Sequence, residues 1–205
     1  MTMLLTETKL NDTATRKRRR MGDEQENTRK TMDRNDSTAS IMINPATQLR
    51  PHIMVAPDFN CAAVFQHEIS RLQLSDLFST HKAAILFFYE CDFTPISCKD
   101  LALINQHTER FKSLNAFPIA LSTDTEMVHK AFIHQSLGFV PSFPLVSDTT
   151  RSVSRHFNVI SPETGLAQRA AFVIDSKRQV RFSFVLEDSR LVHSMDTICS
   201  ILYTF

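Results

Sequence analysis

The sequence is poor in the residues on which several common kinds of site depend. It has 3 glycines in 205 residues, too few for the glycine-rich loops that cradle phosphate groups. Its 4 cysteines show neither a Cys-x-x-Cys pair nor zinc-type spacing, and its histidines do not complete a ligand set. No apolar run reaches the roughly 18 residues that span a bilayer. We therefore expect no metal, no cofactor and no membrane contact.

The first 48 residues differ in composition from the rest of the chain. They are polar, charged and poor in aromatic residues, so they cannot bury enough apolar surface to offset the entropy lost on ordering. We expect a disordered tail over residues 1–48 and one folded domain over residues 49–205.

A basic cluster lies within this tail, from Arg16 to Arg20. Such clusters can act as nuclear localisation signals or nucleic-acid patches. Because Asp23 and Glu24 dilute its charge, a solvated tail is the favoured interpretation. We expect a cytoplasmic protein that does not bind nucleic acid, with a nuclear location as the alternative.

The folded domain is organised around the stretch from Ala83 to Asp100. Ala83 to Tyr89 is continuously apolar, which is typical of a central strand buried on both faces. A turn follows, and then Ser97 and Cys98 open a segment with apolar residues at helical spacing. Because a helix N-terminus stabilises anions, this position favours a thiolate. The alternative is that Cys98 is a small hydrophobic residue of the core.

The remaining segments alternate between strand and helix patterns, ending in a hairpin and a helix. This order predicts the α/β class, with a mixed central sheet flanked by helices on both faces. Residues 55–59 and 61–65 together predict a short strand, which 69–74 can pair with. The other predicted strands are 83–89, 117–122, 145–146, 170–175 and 180–186. The predicted helices are one turn at 74–78, the helix after Cys98, and the segments 125–134, 150–157 and 195–205.

Several short motifs occur in order along the folded domain. They are Pro57-Asp58-Phe59, Leu74-Ser75-Asp76, Phe87-Phe88-Tyr89, Asp92-Phe93-Thr94, Phe111-Lys112 with Leu114-Asn115, Ser147-Asp148 and Phe172-Val173-Ile174-Asp175. Together they resemble the peroxiredoxin family, and within it the typical two-cysteine type. The resemblance covers nearly all of residues 49–205 and implies a thioredoxin-like fold with a thiol that reduces hydrogen peroxide and organic hydroperoxides.

The resemblance implies a peroxidatic cysteine in the pattern Pro-x-x-x-Thr-x-x-Cys, and here the sequence departs from the family. Thr94 matches the threonine, but Glu90 replaces the proline and Ser97 stands at the cysteine position. A serine hydroxyl cannot be oxidised to a sulfenic acid as a thiolate can. The neighbouring Cys98 would be rotated by about 100° and shifted by about 1.5 Å along a helix. Use of Cys98 therefore requires a rearranged first turn.

The resemblance also assigns roles to two arginines. Arg169 matches the arginine that stabilises the thiolate and polarises the peroxide, and Arg151 matches a position of structural support. Without the resemblance, Arg169 would be interpreted as a surface ion-pair residue at a strand end.

Resolution of the sulfenic acid is the third feature that the resemblance implies. Two-cysteine members carry a resolving cysteine in a tail after the last helix, which we expect this chain to lack. We interpret Cys199 as a core residue, and Cys91 as separated from Cys98 by a segment that would have to open. A one-cysteine cycle with thioredoxin or another external thiol is then expected.

Two functional hypotheses follow. In the first, the protein is a thiol peroxidase that acts through Cys98, with Thr94, Ser97 and Arg169 in its site. In the second, it is a catalytically inactive binding or dimerisation module. In both, residues 180–186 resemble the edge strand through which family members form homodimers.

Overall fold

The structure, a computed structural model, describes residues 53–185 and 191–204, with the backbone alone at Val192 and His193. The predicted tail over residues 1–48, with its basic cluster, lies outside this part and stays a prediction. The strands are β1 Asn60–Phe65, β2 Glu68–Gln73, β3 Ala83–Phe88, β4 Ala116–Ser122, β5 Leu145–Ser147, β6 Ala170–Asp175 and β7 Val180–Val185. The α-helices are α1 Leu74–Leu77, α2 Pro95–Ser113, α3 Glu126–Phe132, α4 Ser152–His156 and α5 Leu191–Leu202, and a π-helix, Ile133–Leu137, continues α3.

The strands form one mixed sheet in the order β2-β1-β5-β4-β3-β6-β7. β3 lies inside it, parallel to β4 and antiparallel to β6. All six residues of β3 are buried, as its unbroken apolar sequence predicts. The mixed α/β sheet is confirmed.

Each face of the sheet carries its own apolar core. On one face, α2, α3 and α5 contribute residues such as Leu101, Phe132 and Ile198. On the other, α1 and α4 contribute Leu74 and Val153. This arrangement confirms helices on both faces. Within the described ranges, no helix combines the length and apolar character that crossing a bilayer requires.

Two sequence-based predictions need correction. The strand predicted over residues 55–59 is wrong, since Val55 forms a single bridge to Gln179 and β1 begins at Asn60. Pro57 lies in this segment and has no N–H to donate to a strand ladder. The last helix begins at Leu191, four residues before its predicted start, and ends at Leu202.

Candidate active site

The N-terminus of α2 follows directly from the buried strand β3. Thr94 is the N-cap residue: its backbone is extended, and its Oγ1 accepts a hydrogen bond of 3.1 Å from the Ser97 backbone N–H. Pro95 occupies the first helical position, where its missing N–H costs nothing. The sequence Thr-Pro-x-Ser therefore determines where the helix begins.

The side chain of Ser97, not that of Cys98, is bound to Thr94. The Thr94 hydroxyl donates to Ser97 Oγ at 2.8 Å, and the Ser97 hydroxyl donates to the carbonyl oxygen of Cys91 at 2.7 Å. Ser97 is buried at 2% exposure. Cys98 is half-buried and packs against the core that α2, α3 and α5 share. Ser97 thus occupies the Thr94-bound position that the resemblance predicts for it.

Arg169 reaches α2 from the start of β6. Its Nε donates to Asp100 Oδ2 at 2.7 Å, and its second guanidinium contact is with Asp100 Oδ1 at 2.9 Å. The two side chains are 14% and 12% exposed, so the forked pair is partly shielded from solvent. Asp100 lies on the same helix as Ser97, one turn further along, so Arg169 is held beside the first turn of α2.

A cavity of about 510 Å³ lies in front of Arg169. Glu90 and the exposed Ile96 line it together with Arg169, and Val185 of the edge strand adds an apolar wall. Thr94, Ser97 and Cys98 do not line this cavity. Glu90, the residue that replaces the family proline, therefore places a carboxylate in the same space as the arginine.

A buried polar cluster supports the loop between β3 and α2. Asp92 accepts from the Tyr89 hydroxyl at 2.8 Å and from His129 Nδ1 at 2.8 Å. The Asp92 and His129 side chains are 1% and 0% exposed. Asp124 Oδ2 accepts from the Asp92 backbone N–H at 2.8 Å. These bonds fix the backbone just before Thr94.

The sequence patterns do not predict this cluster, because the spacing of the histidines bears on metal binding and not on a buried pair with Asp92. His129 lies 37 residues from Asp92, and neither spacing nor composition predicts their contact. An available signal was the position of Asp92, three residues after the end of the buried apolar run Ala83 to Tyr89. A carboxylate at such a place needs a buried partner.

A sequence profile of the AhpC/TSA family matches residues 54–183. Chloroplastic 2-Cys peroxiredoxin BAS1 of Hordeum vulgare is 35% identical over 135 residues, covering 63% of this chain and 63% of that protein. Peroxiredoxin-2 of Cricetulus griseus is 31% identical over 154 residues, covering 73% and 76%. The chain belongs to the peroxiredoxin family. Thioredoxin peroxidase I of Plasmodium yoelii has the same fold, with a TM-score of 0.68 and 27% identity over 74% of this chain and 88% of that one.

This peroxiredoxin chain spans less than two thirds of two of its curated relatives. It covers 63% of the Hordeum vulgare protein and 58% of the BAS1 protein of Spinacia oleracea.

The other cysteines of this peroxiredoxin occupy three different environments. Burial, followed by the charges of Asp124, Glu90 and Asp92, raises the pKa of the Cys91 thiol. Cys199 is fully buried on α5, as expected of a core residue. Cys61 packs against the core on the opposite face of the sheet from Cys98.

Arg151 has a structural contact outside the first turn of α2. Arg151 donates from Nε to the Gly165 carbonyl oxygen at 2.8 Å, a contact that fits its predicted role of support. Among the residues that the structure describes, no three His, Cys, Asp or Glu side chains come together as metal ligands would.

Proposed function

We propose that this peroxiredoxin is a thiol-dependent peroxidase that reduces hydrogen peroxide and organic hydroperoxides through Cys98. The observation that supports it most is the position of a half-buried thiol in the first turn of α2, directly after the Thr94-bound Ser97. That turn lies beside Arg169, whose positive charge favours an anion.

The reaction requires the first turn of α2 to open while the buried Asp92 cluster and the Arg169–Asp100 pair stay in place, so that the bonds of the turn itself are the ones that break. The Thr94 cap contributes about 0.5–2 kcal/mol, and the bond from Ser97 to the Cys91 carbonyl contributes about 0.5–1.5 kcal/mol. Phe93 and Ile96 are already 45% and 50% exposed. A cost of about 1–3 kcal/mol corresponds to an open fraction on the order of 1–10%. We infer a peroxidase that is slow because most molecules are closed.

The proposed cycle has an oxidation stage and a reduction stage. The Cys98 thiolate attacks one peroxide oxygen, the O–O bond breaks, and the leaving alkoxide or hydroxide takes a proton to give an alcohol or water. An external thiol then attacks the sulfenic acid, releasing water and forming a mixed disulfide, which a second thiol reduces. A thioredoxin-type protein is the proposed donor, since Cys199 is buried, Cys61 lies across the sheet, and the raised pKa of the Cys91 thiol disfavours its thiolate.

A second candidate is a binding or dimerisation module without peroxide chemistry. It is favoured by the closed geometry, in which Ser97 holds the Thr94 bond and Cys98 packs against the core. Errors near 1 Å in a reacting group can cost about a hundredfold in rate. If the first turn does not open, such a displacement abolishes useful catalysis.

One labelling experiment separates the two candidates. Hydrogen peroxide is added to the purified full chain, sulfenic acid is trapped with dimedone, and the labelled residue is identified by mass spectrometry. A peroxidase labels at Cys98 faster than cysteine free in solution, and Cys98→Ala abolishes this label. Ser97→Ala removes the bond to the Cys91 carbonyl and should therefore speed the labelling. If Cys98 is labelled no faster than free cysteine in the natural chain and in Ser97→Ala, the protein is the binding or dimerisation module.

We propose homodimer formation through β7 in either case. β7 is an edge strand of the sheet, and its residues alternate between half-buried and exposed positions. Its last residue, Val185, is 49% exposed. An edge with unpaired backbone groups can pair with a second chain. Sedimentation analysis of the full chain and of Val185→Lys, which places a charge at the exposed end of β7, tests this proposal. An unchanged mass in the variant would contradict it.

A cytoplasmic location, with the nucleus as the alternative, is also proposed. The four cysteines are free, as is usual in a reducing compartment. A fluorescent fusion of the full chain, compared with one in which Arg16 to Arg20 are replaced by glutamine, tests both locations.

A further inference from the structure

A second cavity lies among β1, β2, the β5–α4 loop and the start of α3, and has a volume of about 390 Å³. It shares no lining residue with the cavity in front of Arg169. Arg71 and Glu126 line it, together with Ser147 and the hydroxyl-bearing residues Thr149 and Thr150. We call it the Arg71–Glu126 cavity.

The wall of this cavity contains a buried hydroxyl without a partner. Ser147 is 5% exposed, and its Oγ makes no hydrogen bond to any residue that the structure describes. A buried polar group without a partner costs about 1–3 kcal/mol. Such groups are rare in native proteins and often mark a site that another molecule satisfies.

Two opposite charges also line the cavity without pairing with each other. Arg71 is fixed by Asn60, which accepts from Nε at 2.6 Å through Oδ1 and from one terminal nitrogen through its carbonyl oxygen. The other terminal nitrogen of Arg71 makes no hydrogen bond to a described residue and can donate to a ligand. Glu126 is partly buried and makes no ion pair or hydrogen bond through its carboxylate within residues 53–185 and 191–204. The cavity therefore presents a positive group that Asn60 holds in place and a negative group that pairs with none of the described residues.

The neighbouring ionisable groups do not compete for a ligand. The Asp148 carboxylate accepts from the backbone N–H groups of Val153 and Ser154 and from the Ser154 hydroxyl. Burial, with the charge of Asp148 second, raises the pKa of the Cys61 thiol. Asp148 thus anchors α4, and Cys61 forms a neutral part of the wall.

We propose that the Arg71–Glu126 cavity binds a zwitterion with a free ammonium and a free carboxylate, as in an α-amino acid or a short peptide. The guanidinium of Arg71 takes the carboxylate in charge-assisted hydrogen bonds. Glu126 takes the ammonium, and the Ser147 hydroxyl bonds a polar group between them. A simple anion would face Glu126 and a simple cation would face Arg71, so the pair of charges selects a ligand with both. This site is independent of the peroxidase proposal.

Calorimetric titration of the full chain tests the site. The probes are glycine, glycylglycine and triglycine, whose increasing length samples the separation of the two charges. N-acetylglycylglycine lacks the ammonium and glycylglycinamide lacks the free carboxylate. We expect binding by at least one zwitterion at concentrations up to about 10 mM, and at least tenfold weaker binding by both blocked compounds.

Variants show whether binding takes place in this cavity. Arg71→Gln and Glu126→Gln should each weaken it at least tenfold, and Ser147→Ala about two- to tenfold, the equivalent of one hydrogen bond. Lys112→Gln, on the exposed surface of α2, is the matched control and should leave it unchanged. No heat with any zwitterion, or equal binding by the cavity variants and the Lys112 control, would overturn the proposal.

Discussion

The hydroxyl of Thr94 lies 2.8 Å from the hydroxyl of Ser97. Thr94 also accepts from the backbone N–H of Ser97, so one threonine positions both the backbone and the side chain of this residue. Whatever atom stands at the end of that side chain is held at the N-terminus of α2, where an anion is stabilised.

Replacing Ser97 by cysteine should therefore increase peroxide reactivity. A thiolate in the Thr94-bound position needs no opening of the helix, and recovery of about 1 Å in placement is worth about a hundredfold. We expect Ser97→Cys to form sulfenic acid at least about a hundredfold faster than the natural chain, measured by stopped-flow kinetics with hydrogen peroxide. The gain should persist in Ser97→Cys with Cys98→Ala. A rate equal to that of the natural chain would contradict the proposed geometry.

Arg169 should matter for this gained activity. Its guanidinium lies beside the first turn of α2 through the pair with Asp100, where it can stabilise charge developing on the peroxide. In the Ser97→Cys chain, Arg169→Gln should lower the second-order rate by about ten- to a hundredfold. Arg155→Gln, at an exposed position on α4, is the matched control. Equal effects of the two substitutions would exclude a role for Arg169 in the site.

Glu90 should disfavour anionic peroxides. Its carboxylate lines the same cavity as Arg169, and two like charges about 4 Å apart repel by about 1 kcal/mol in water and by about 4 kcal/mol near a protein surface. In the Ser97→Cys chain, Glu90→Gln should raise the ratio of the rate with peroxynitrite to the rate with hydrogen peroxide about threefold. Glu68→Gln, on the exposed edge strand β2, should leave the ratio unchanged. An unchanged ratio in both variants would show that Glu90 does not affect selectivity.

His129 should be important for stability. Its Nδ1 is bound to Asp92 at 2.8 Å in a fully buried pair, and removing one partner leaves a buried charge uncompensated. His129→Ala should lower the free energy of unfolding by about 3–5 kcal/mol, measured by urea denaturation. His129→Asn, whose amide can donate to Asp92, should lose less. His156→Ala, on the exposed face of α4, should cost about 1 kcal/mol; a similar cost for His129→Ala would contradict the inference.

Tyr89 should make the fold sensitive to alkaline pH. Burial, followed by the charge of Asp92 and its hydrogen bond, raises the pKa of Tyr89 well above its usual value. As the pH rises past about 10, the unfolded chain loses this proton while the folded chain keeps it, so the free energy of unfolding falls, by up to about 1.4 kcal/mol per pH unit.

The sequence offers a matched pair for this measurement, since its 2 tyrosines are the buried Tyr89 and the exposed Tyr203. Tyr89→Phe should fall less steeply in stability above pH 10 than Tyr203→Phe does. In Tyr203→Phe, the ultraviolet signal of tyrosinate should appear late, with or after unfolding. Its appearance near pH 10 in the folded protein would contradict the assignment.

Local patterns predicted the parts of the fold that depend on neighbouring residues. The apolar run at Ala83 predicts a buried strand, and Thr94 followed by Pro95 predicts the start of α2. The prediction failed at residues 55–59, where Pro57 interrupts an otherwise apolar segment. The early start of α5 at Leu191 was also missed, because the boundary of a helix depends on tertiary packing as well as on periodicity.

The amino-acid sequence alone determined that Thr94 caps α2 and binds Ser97, three residues further on, because capping bonds act over a single helical turn. It also determined that the thiol next to this serine, Cys98, is displaced by one residue along the helix. The tertiary structure decided that Asp100 holds Arg169, that His129 holds Asp92, and that Arg71, Glu126 and Ser147 line one cavity. These residues lie far apart along the chain, and the order of the strands in the sheet brings them together.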